Sequence, residues 1–488
     1  MKSNDRLLAA GTAAYSYLFY EQNAGINFLI FNLVFISMLL YRDKNLLQNK
    51  TWLLAAGMCL LSATGIVLHS SALAMIANVF GLLLLSSYSF NRATSSVFSF
   101  LFSFYSVVSS FIYVIIDASK RSVKNSEKED RGHSQYKYFI LFVVCLLCIL
   151  FFALYRKANP LFAENTQWVN FNFISFTWLL FSGIGFLAVY GLFYHKTLPQ
   201  VDAWENGIRL KNVSPEEPEK NSFKSELSAG VLLFTFLNLM LVILNAGDIN
   251  SIWFKGSLPK GVSHSDFVHN GVSMIIFSIL IATGLIMFLY RYNFAALKNS
   301  KLLKLLVYAW IAQNLLMLFS TACRNQIYIQ DYNLTYKRVG VYVWLFLAMM
   351  GLVVTAIKVK QDQSNWYLIR SNFNVWFFFL AFSSILNWDV LITRHNLSNQ
   401  PLTKVDFHYL FSLSDANIPE LLAVTKDKDF HLINGRLRDY SRPSSYTNNT
   451  KTYRTMMKTK IKYYLKEYKA DWQSWDFRDK HIIESLVK

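Results

Sequence analysis

Long apolar runs recur along the chain and are separated by short polar stretches. A bilayer core of about 30 Å requires about 20 apolar residues per helix, and lipid offers no partner to an open backbone group, so such runs predict membrane-spanning helices. The pattern predicts an all-α, polytopic transmembrane helix bundle of about 11 spans, with a range of 10–12. The runs lie at residues 25–41, 51–68, 72–90, 94–117, 138–157, 173–194, 227–247, 270–290, 303–321, 340–357 and 372–392.

The first twenty residues resemble a signal peptide, because Lys2 and Arg6 precede an apolar stretch. Gly11 and several tyrosines interrupt that stretch, and the next apolar run begins almost at once. We therefore expect either an uncleaved first span or an interfacial helix that leads into it.

The composition agrees with a membrane protein. Of the 488 residues, 53% are apolar and 16% aromatic, while only 16% are charged. The formal net charge is +18. Basic loops on a membrane protein follow from its topology and from attraction to anionic headgroups. The lipid bilayer is therefore the expected partner, and no nucleic-acid partner is predicted.

Lysine and arginine are distributed unevenly between the two sets of loops. With eleven spans, the set that includes the amino terminus holds 19 of these residues and the opposite set holds 11. Positive residues close to span ends stay cytoplasmic. The distribution predicts a protein of the cell (inner) membrane with a cytoplasmic amino terminus and a periplasmic carboxyl terminus.

The chain is expected to have three parts. Residues 1–137 hold the N-terminal transmembrane helices and a basic loop, residues 138–392 form a transmembrane core, and residues 393–488 form an interfacial or soluble tail. Within the tail, residues 451–470 predict a basic amphipathic helix. Its less polar stripe either packs on the rest of the tail, which we favour, or lies on anionic lipid. That stripe holds Tyr453, Met457, Ile461, Tyr464 and Tyr468.

The sequence lacks the motifs of well-known enzyme chemistry. It contains no phosphate-cradling loop, zinc-protease helix or nucleophile elbow. Cys145 and Cys148 form a CxxC pair, but they lie inside an apolar run with no second pair nearby, so core packing is expected. No catalytic residue, cofactor or metal site is predicted.

Polar side chains inside apolar runs are costly in lipid and usually face the interior of a helix bundle. Asp389 lies near a span end, five residues before Arg394. This spacing suggests an ion pair at the outer leaflet first, and a proton or substrate site second. The other polar positions are expected to form interhelical hydrogen bonds: Asn27, Asn32, Asn238, Gln313 and Asn314.

Residues 323–338, CRNQIYIQDYNLTYKR, form an unusually polar link between two apolar runs. Arg324, Tyr328 and Asp331 are spaced by four and three residues, so they share one helical face. The helix of the preceding run is therefore expected to continue to about Tyr332.

A turn and a new helix follow in the same link. Asn333 tolerates the left-handed conformation that ends a helix, and Thr335 is a good N-cap. The pattern predicts a turn at Asn333 and Leu334 and a second helix from Tyr336, which makes the link a helical hairpin.

Charged and aromatic residues of this hairpin, together with those after the last apolar run, form one candidate functional cluster. Arginine side chains there could grip the phosphate of a lipid-linked substrate. The cluster consists of Arg324, Tyr328, Asp331, Tyr332, Thr335, Arg338, Asp389, Arg394 and His395.

The hairpin sequence RNQIYIQDYNLTYKRVGVYVWL resembles the signature of Domain of Unknown Function 4173, a bacterial family of multi-pass membrane proteins, in its Bacteroidetes-type form, which is related to 4153. SNWYLIRSN, NWDVLITRHNL and VDFHYLFSLSDANIPELL are similar to blocks of the same family in the same order, and the resemblance covers roughly residues 138–425. Asn333 stands where many members have glycine, which preserves the turn. The resemblance implies a membrane protein of the cell envelope and assigns no activity.

Three functions from different classes stay open. The first is a non-enzymatic scaffold, or a protein that binds other membrane proteins, and it agrees best with the missing catalytic motifs. The second is a membrane-embedded transferase or lipid-handling enzyme with an outer-face Arg/Asp/His site. The third is a transporter, which would show an internal repeat that this sequence lacks.

Overall fold

The computed structural model describes residues 3–91, 94–126, 144, 148, 151–152, 154–166, 176–208, 220–250, 264–291, 300–426 and 450–487. Over these ranges the chain is helical and has no β-strand, which confirms the predicted all-α class. The chain forms two compact units, Met1–Glu205 with Ala381–Ile385 and Lys469–Phe477, and Asn206–Leu380 with Leu386–Tyr468 and Arg478–Lys488. The expected division into three parts stays a prediction.

The first unit contains eight helices of the described ranges and most of a ninth. They are α1 (Ser3–Phe19), α2 (Ile26–Arg42), α3 (Lys50–His69), α4 (Ala72–Tyr88), α5 (Ser96–Val108), α6 (Ser110–Ser126), α7 (Pro160–Asn165), α8 (Phe176–Phe193) and α9 (Pro199–Gly207). Helices α2, α3, α4 and α8 match predicted apolar runs to within about three residues, whereas the run at 94–117 is divided between α5 and α6. Capping residues mark some of these boundaries. Asn49 and Ser71, for example, accept hydrogen bonds from the first amides of α3 and α4.

A polar network lies inside the first unit. Asn32 Nδ2 donates to Asn78 Oδ1 at 3.1 Å, and Asn78 Nδ2 donates to the carbonyl of Cys59 at 3.0 Å. All three side chains are fully buried. The network joins α2, α3 and α4, which confirms the interhelical role expected of Asn32. Asn27 also forms an interhelical hydrogen bond, because its Nδ2 donates to the carbonyl of Leu18 in α1 at 3.0 Å.

A segment of the C-terminal tail belongs to the first unit and returns to the loop between α1 and α2. The amide of Ile26 donates to the carbonyl of Trp475 at 2.9 Å. The backbone at Gly25 runs against this segment so closely that a Cβ there would lie 2.6 Å from the carbonyl carbon and oxygen of Ser474. This contact requires glycine at position 25.

The second unit contains the remaining helices, apart from the last three residues of α14 and the first residue of α19. They are α10 (Lys220–Asp248), α11 (His264–Leu289), α12 (Ser300–Tyr332), α13 (Tyr336–Gln361), α14 (Asn365–Ser383), α15 (Trp388–Asn399), α16 (Phe407–Ser412), α17 (Ile418–Lys426), α18 (Thr450–Glu467) and α19 (Phe477–Val487). Helices α10 to α13 share one apolar core, with Phe234, Ile286, Val307 and Leu352 fully buried in it.

Polar bonds connect α10 and α12 within that unit. Gln313 Nε2 donates to Asn238 Oδ1 at 2.6 Å, and Asn238 Nδ2 donates to the carbonyl of Leu306 at 2.9 Å. These bonds confirm the interhelical role expected of both residues. The same expectation is wrong for Asn314, because its Nδ2 donates to the carbonyl of Trp310 in its own helix at 2.8 Å.

The tail helices form a second apolar core. Phe407, Leu410, Tyr453 and Met457 are buried there between α16 and α18. The predicted helix at 451–470 is therefore α18, and the favoured packing of its stripe on the rest of the tail is confirmed for Tyr453, Met457 and Tyr464. Ile461 packs against the same core from a partly exposed position, while Tyr468 is exposed.

Several helices are apolar enough to lie in a membrane. By length and composition four described helices could cross it alone: α3, Lys224–Asp248 in α10, Lys301–Tyr332 in α12, and α13. Two bent pairs, α5 with α6 and α14 with α15, raise the number to six. Four shorter apolar helices lie at Ile26–Arg42, Ala72–Tyr88, Thr177–Phe193 and Met274–Leu289.

These helices are consistent with a membrane-embedded protein. The expected number of about 11 spans stays a prediction, and most of the predicted run at 138–157 falls outside the described residues, including Cys145. Cys148 is exposed, so the core packing expected of it is wrong.

Candidate functional site

The polar link at 323–338 folds as a helical hairpin of the second unit. Helix α12 ends at Tyr332, Asn333 has a φ of 71°, and α13 begins at Tyr336. This is the predicted hairpin with the predicted turn. Asparagine suits the left-handed conformation because its short polar side chain bonds locally, whereas most side chains are strained there.

The tail holds the tip of this hairpin through hydrogen bonds. Leu334 N–H donates to Asn396 Oδ1 at 2.7 Å, and Asn396 Nδ2 donates to the carbonyl of Leu334 at 2.8 Å. Asn333 Nδ2 donates to the carbonyl of Lys404 at 2.8 Å. The polar backbone of a turn must find partners when it is covered, and here residues from α15 and the segment after it supply them.

The start of α13 is capped by the tail rather than by its own N-cap residue. Thr335 occupies the N-cap position, but its side chain accepts no capping hydrogen bond. The amide of Tyr336 donates instead to the hydroxyl of Tyr409 at 2.7 Å. The predicted position of the cap is thus right, but Thr335 makes no capping bond. The acceptor for the first amide of α13 comes from a residue more than seventy positions away. Burial raises the pKa of the Tyr409 phenol, so the hydroxyl stays neutral.

Arg338 stabilises the other side of the turn. Its Nη1 donates to the carbonyl of Tyr332 at 2.6 Å and also to the carbonyl of Asn333. The guanidinium lies 4.2 Å from the ring centroid of Tyr328, within the range of a cation–π contact. A cation on the last carbonyls of a helix compensates their partial negative charge, so Arg338 caps α12.

Asp389 faces the hairpin from the first turn of α15. Its carboxylate accepts hydrogen bonds from the Tyr336 hydroxyl at 2.9 Å and from the Ser414 hydroxyl. The ion pair expected with Arg394 is wrong, because two residues five apart on a helix point about 140° away from each other. Arg394 pairs instead with Glu420, with Nη2 2.8 Å from Oε1.

Arg324 lies deeper in the hairpin and is buried. It forms an ion pair with Asp248 at the end of α10. This pair continues the line of polar bonds between α10 and α12, so the two charges hold those helices together at their ends. Arg324 is one of the predicted site residues and Asp248 is not, because the two residues are 76 positions apart in the chain.

A cleft opens between the hairpin and the tail. Its volume is about 790 Å³. Four of the nine predicted site residues line it, namely Tyr328, Thr335, Arg338 and Asp389, together with Tyr336, Lys337, Tyr409, Ser412, Leu413 and Ser414. The other five predicted residues do not line it: Arg324, Asp331, Tyr332, Arg394 and His395.

The predicted residues outside the cleft have other surroundings. Asp331 and Tyr332 are exposed at the end of α12. His395 Nδ1 lies 3.4 Å from Asn396 Oδ1, beside the residue that clamps the turn. The structure therefore places the nine residues at one end of the hairpin but does not bring all of them to one surface.

Lys460 supports the floor of the cleft and was missed by sequence analysis. Its Nζ donates to the carbonyl of Leu413 at 2.6 Å and to that of Phe411 at 3.2 Å. Burial lowers the pKa of this ammonium, while the nearby carboxylates of Asp415 and Asp389 act in the opposite direction. A lysine on the buried stripe of a basic helix is hard to distinguish from its solvent-exposed neighbours in the sequence. The block VDFHYLFSLSDANIPELL was the available signal for Tyr409, Ser412 and Ser414.

Metal chemistry has no candidate site in the part of the chain that the structure describes. No group of three or more His, Cys, Asp or Glu side chains there is arranged to hold a metal ion. The cleft instead offers hydroxyl groups, aromatic rings, one carboxylate and two cations, a set suited to binding a polar group with charges of both signs.

The chain belongs to the family described as a domain of unknown function (DUF4153), whose profile matches residues 7–424. This match confirms membership of family 4153, to which the resembled family 4173 is related. It does not confirm the label 4173 itself. No curated protein matches the chain, and no solved structure matches it either.

Proposed function

We propose that this member of the DUF4153 family is a non-enzymatic, multi-pass protein of the bacterial inner membrane that serves other membrane proteins as a scaffold. In this proposal the hairpin of α12 and α13 carries the folded tail at the membrane surface, and the tail offers the binding surface. One observation supports it most: the arginines that a catalytic site would use hold the protein's own structure together.

Each of those arginines bonds a different protein group. Arg324 pairs with Asp248, Arg338 caps the carbonyls at the end of α12, and Arg394 pairs with Glu420. A transferase that grips a phosphate needs its cations to converge on one position. Three arginines with three separate partners favour structural roles.

Alanine substitution of each arginine tests this proposal. If the arginines have structural roles, replacing a buried arginine should reduce the amount of folded protein more than replacing an exposed one. Arg324→Ala should therefore be far more damaging than Arg394→Ala, whose side chain is 63% exposed. The amount of protein in membranes and its melting temperature in detergent measure this loss. An Arg324→Ala variant with normal abundance and melting temperature that cannot complement a deletion strain would overturn the proposal, because Arg324 is buried away from the tail surface.

The membrane orientation is part of the same proposal: the hairpin tip and the tail face the periplasm. Lys337 and Lys360 lie near opposite ends of α13, about 35 Å apart along the axis, which exceeds the hydrocarbon thickness. In a cysteine-free background, Lys337→Cys should react with a membrane-impermeant maleimide in spheroplasts, and Lys360→Cys should react only after lysis. The reverse pattern would contradict the orientation.

A further inference from the structure

The cleft between the hairpin and the tail lies where two helices that contain candidate membrane spans are joined. Helix α12 ends at Tyr332 and α13 begins at Tyr336, and both contain candidate spans. With 26 residues, α13 is about 39 Å long, close to the thickness of a bilayer with its headgroups. If α13 spans the bilayer, its Tyr336 end would lie at the level of the lipid headgroups.

The cleft presents charges of both signs. Lys337 is exposed, and among the described residues no side chain or backbone group bonds its ammonium. Arg338, the next residue, adds a second positive charge at the wall of the cleft, although its donors are engaged with backbone carbonyls. On the other side, Asp389 supplies a carboxylate.

The carboxylate of Asp389 is suited to receive an ammonium group. It already accepts bonds from the hydroxyls of Tyr336 and Ser414, and a carboxylate has about four lone-pair positions, so capacity remains. Tyr336 and Tyr409 line the same cleft, and aromatic rings attract cations. Tyr336 lies beside both charges, because its hydroxyl bonds the Asp389 carboxylate and Lys337 is the next residue in the chain.

From this arrangement we propose that the cleft binds a phosphoethanolamine headgroup. The phosphate would lie at Lys337 and the ammonium at Asp389 between the two tyrosines. A glycerol headgroup carries no cation for Asp389, and a choline headgroup carries no N–H to donate to it. The inference is independent of the scaffold proposal, since a lipid-binding cleft is compatible with any role of the tail.

The test uses the full-length protein in detergent and native mass spectrometry with short-chain phosphatidylethanolamine, phosphatidylglycerol or phosphatidylcholine as the probe. We expect phosphatidylethanolamine to bind about tenfold more tightly than either of the others, since it alone satisfies both charges. Free phosphoethanolamine forms a further arm. Binding of the free compound without binding of the lipid would support the headgroup site and assign its ligand to solution.

Two lysine variants localise the binding. Lys337→Ala should weaken binding of phosphatidylethanolamine about fivefold, the effect of one exposed charge-assisted contact. Lys360→Ala is the matched control, since it removes an exposed lysine from the far end of α13, and it should bind as the wild type does. Equal loss in both variants would overturn the site, because general attraction to charge would then explain the binding.

Asp389→Asn tests the ammonium end of the site. This variant removes the charge but keeps the shape of the side chain and an acceptor for Tyr336. It should therefore reduce the preference for phosphatidylethanolamine over phosphatidylglycerol. The melting temperature of the variant shows whether the fold persists. Asp331→Asn is the matched control, because it removes an exposed carboxylate at the end of α12 that does not line the cleft, so the preference should survive. If phosphatidylglycerol binds the wild type as tightly as phosphatidylethanolamine does, the proposal is wrong.

Discussion

Asn396 bonds both backbone groups of Leu334, accepting from its N–H at 2.7 Å and donating to its carbonyl at 2.8 Å. A side-chain amide is the one neutral group that offers a donor and an acceptor at this spacing. The bonds join α15 to the turn of the hairpin. They explain how a turn between two apolar helices remains covered without unpaired backbone groups.

Asn396→Ala should lower the free energy of unfolding by about 2 kcal/mol, because two covered backbone groups lose their partners. The melting temperature in detergent measures the change. Ser398→Ala is the control two residues away, since Ser398 is exposed and its hydroxyl bonds the carbonyl of Arg394 within α15. Equal melting temperatures for the two variants would contradict the role of Asn396.

Substitutions of Asn333 should separate the conformation of the turn from its hydrogen bond. Asn333→Gly keeps the left-handed conformation and loses only the bond to the carbonyl of Lys404, at a cost of about 1 kcal/mol. Asn333→Ala loses the bond and adds strain of about 1 kcal/mol or more. Alanine should therefore be less stable than glycine at this position in thermal denaturation, and the opposite order would exclude strain as the cause.

Lys460→Met should destabilise the tail, because methionine fills the space of lysine and leaves the carbonyls of Phe411 and Leu413 without a donor. The expected cost is about 2 kcal/mol. Limited proteolysis reports local opening of the tail helices. Lys458→Met serves as the control, since Lys458 is exposed on the same helix, and it should be cleaved at the wild-type rate. Similar rates for both variants would show that Lys460 does not hold the floor of the cleft.

His195 predicts a dependence of stability on pH in the first unit. Burial, and secondarily the charge of Arg42, lowers the pKa of His195 to about 4. Its Nδ1 lies 3.3 Å from Ser103 Oγ, and its ring stacks on Phe90. Because an unfolded histidine titrates near pH 6.5, the unfolded state binds the additional proton between pH 6.5 and 4. Stability should therefore fall across that window as the pH is lowered, by up to about 3 kcal/mol.

His195→Gln removes the titration and should flatten the curve of melting temperature against pH between 4 and 6.5. The exposed His481 provides the control, and His481→Gln should leave the curve unchanged. A wild-type slope in the His195 variant would assign the pH dependence to other groups.

Gly25→Ala should displace the tail segment from the loop between α1 and α2, since a Cβ would lie 2.6 Å from the backbone of Ser474. Faster proteolysis around Lys469 is the expected result. Gly57→Ala is the control, because no atom lies within 4 Å of a Cβ placed there. Alanine favours a helix over glycine by up to about 1 kcal/mol, so this control should be neutral or slightly stabilising. Unchanged proteolysis of Gly25→Ala would contradict the close contact.

The hairpin shows how much of the site local sequence can predict. The end of α12, the left-handed Asn333 and the start of α13 all follow from residues within a few positions of each other. The acceptor that caps Tyr336 and the partner of Asp389 do not, since Tyr409 and Ser414 come from distant parts of the chain. A pattern of residues carries no information about which distant group arrives at a helix end.

Sequence by itself determined the helical class, the membrane character and the position of the hairpin, because apolar runs and capping residues act over one or two helical turns. Tertiary structure alone decided the use of the charged residues. It paired Arg324 with Asp248 and Arg394 with Glu420, and it placed Arg338 and Asp389 at one cleft. The physical reason is that ion pairs and clefts depend on how helices pack, and packing brings together side chains that are far apart along the chain.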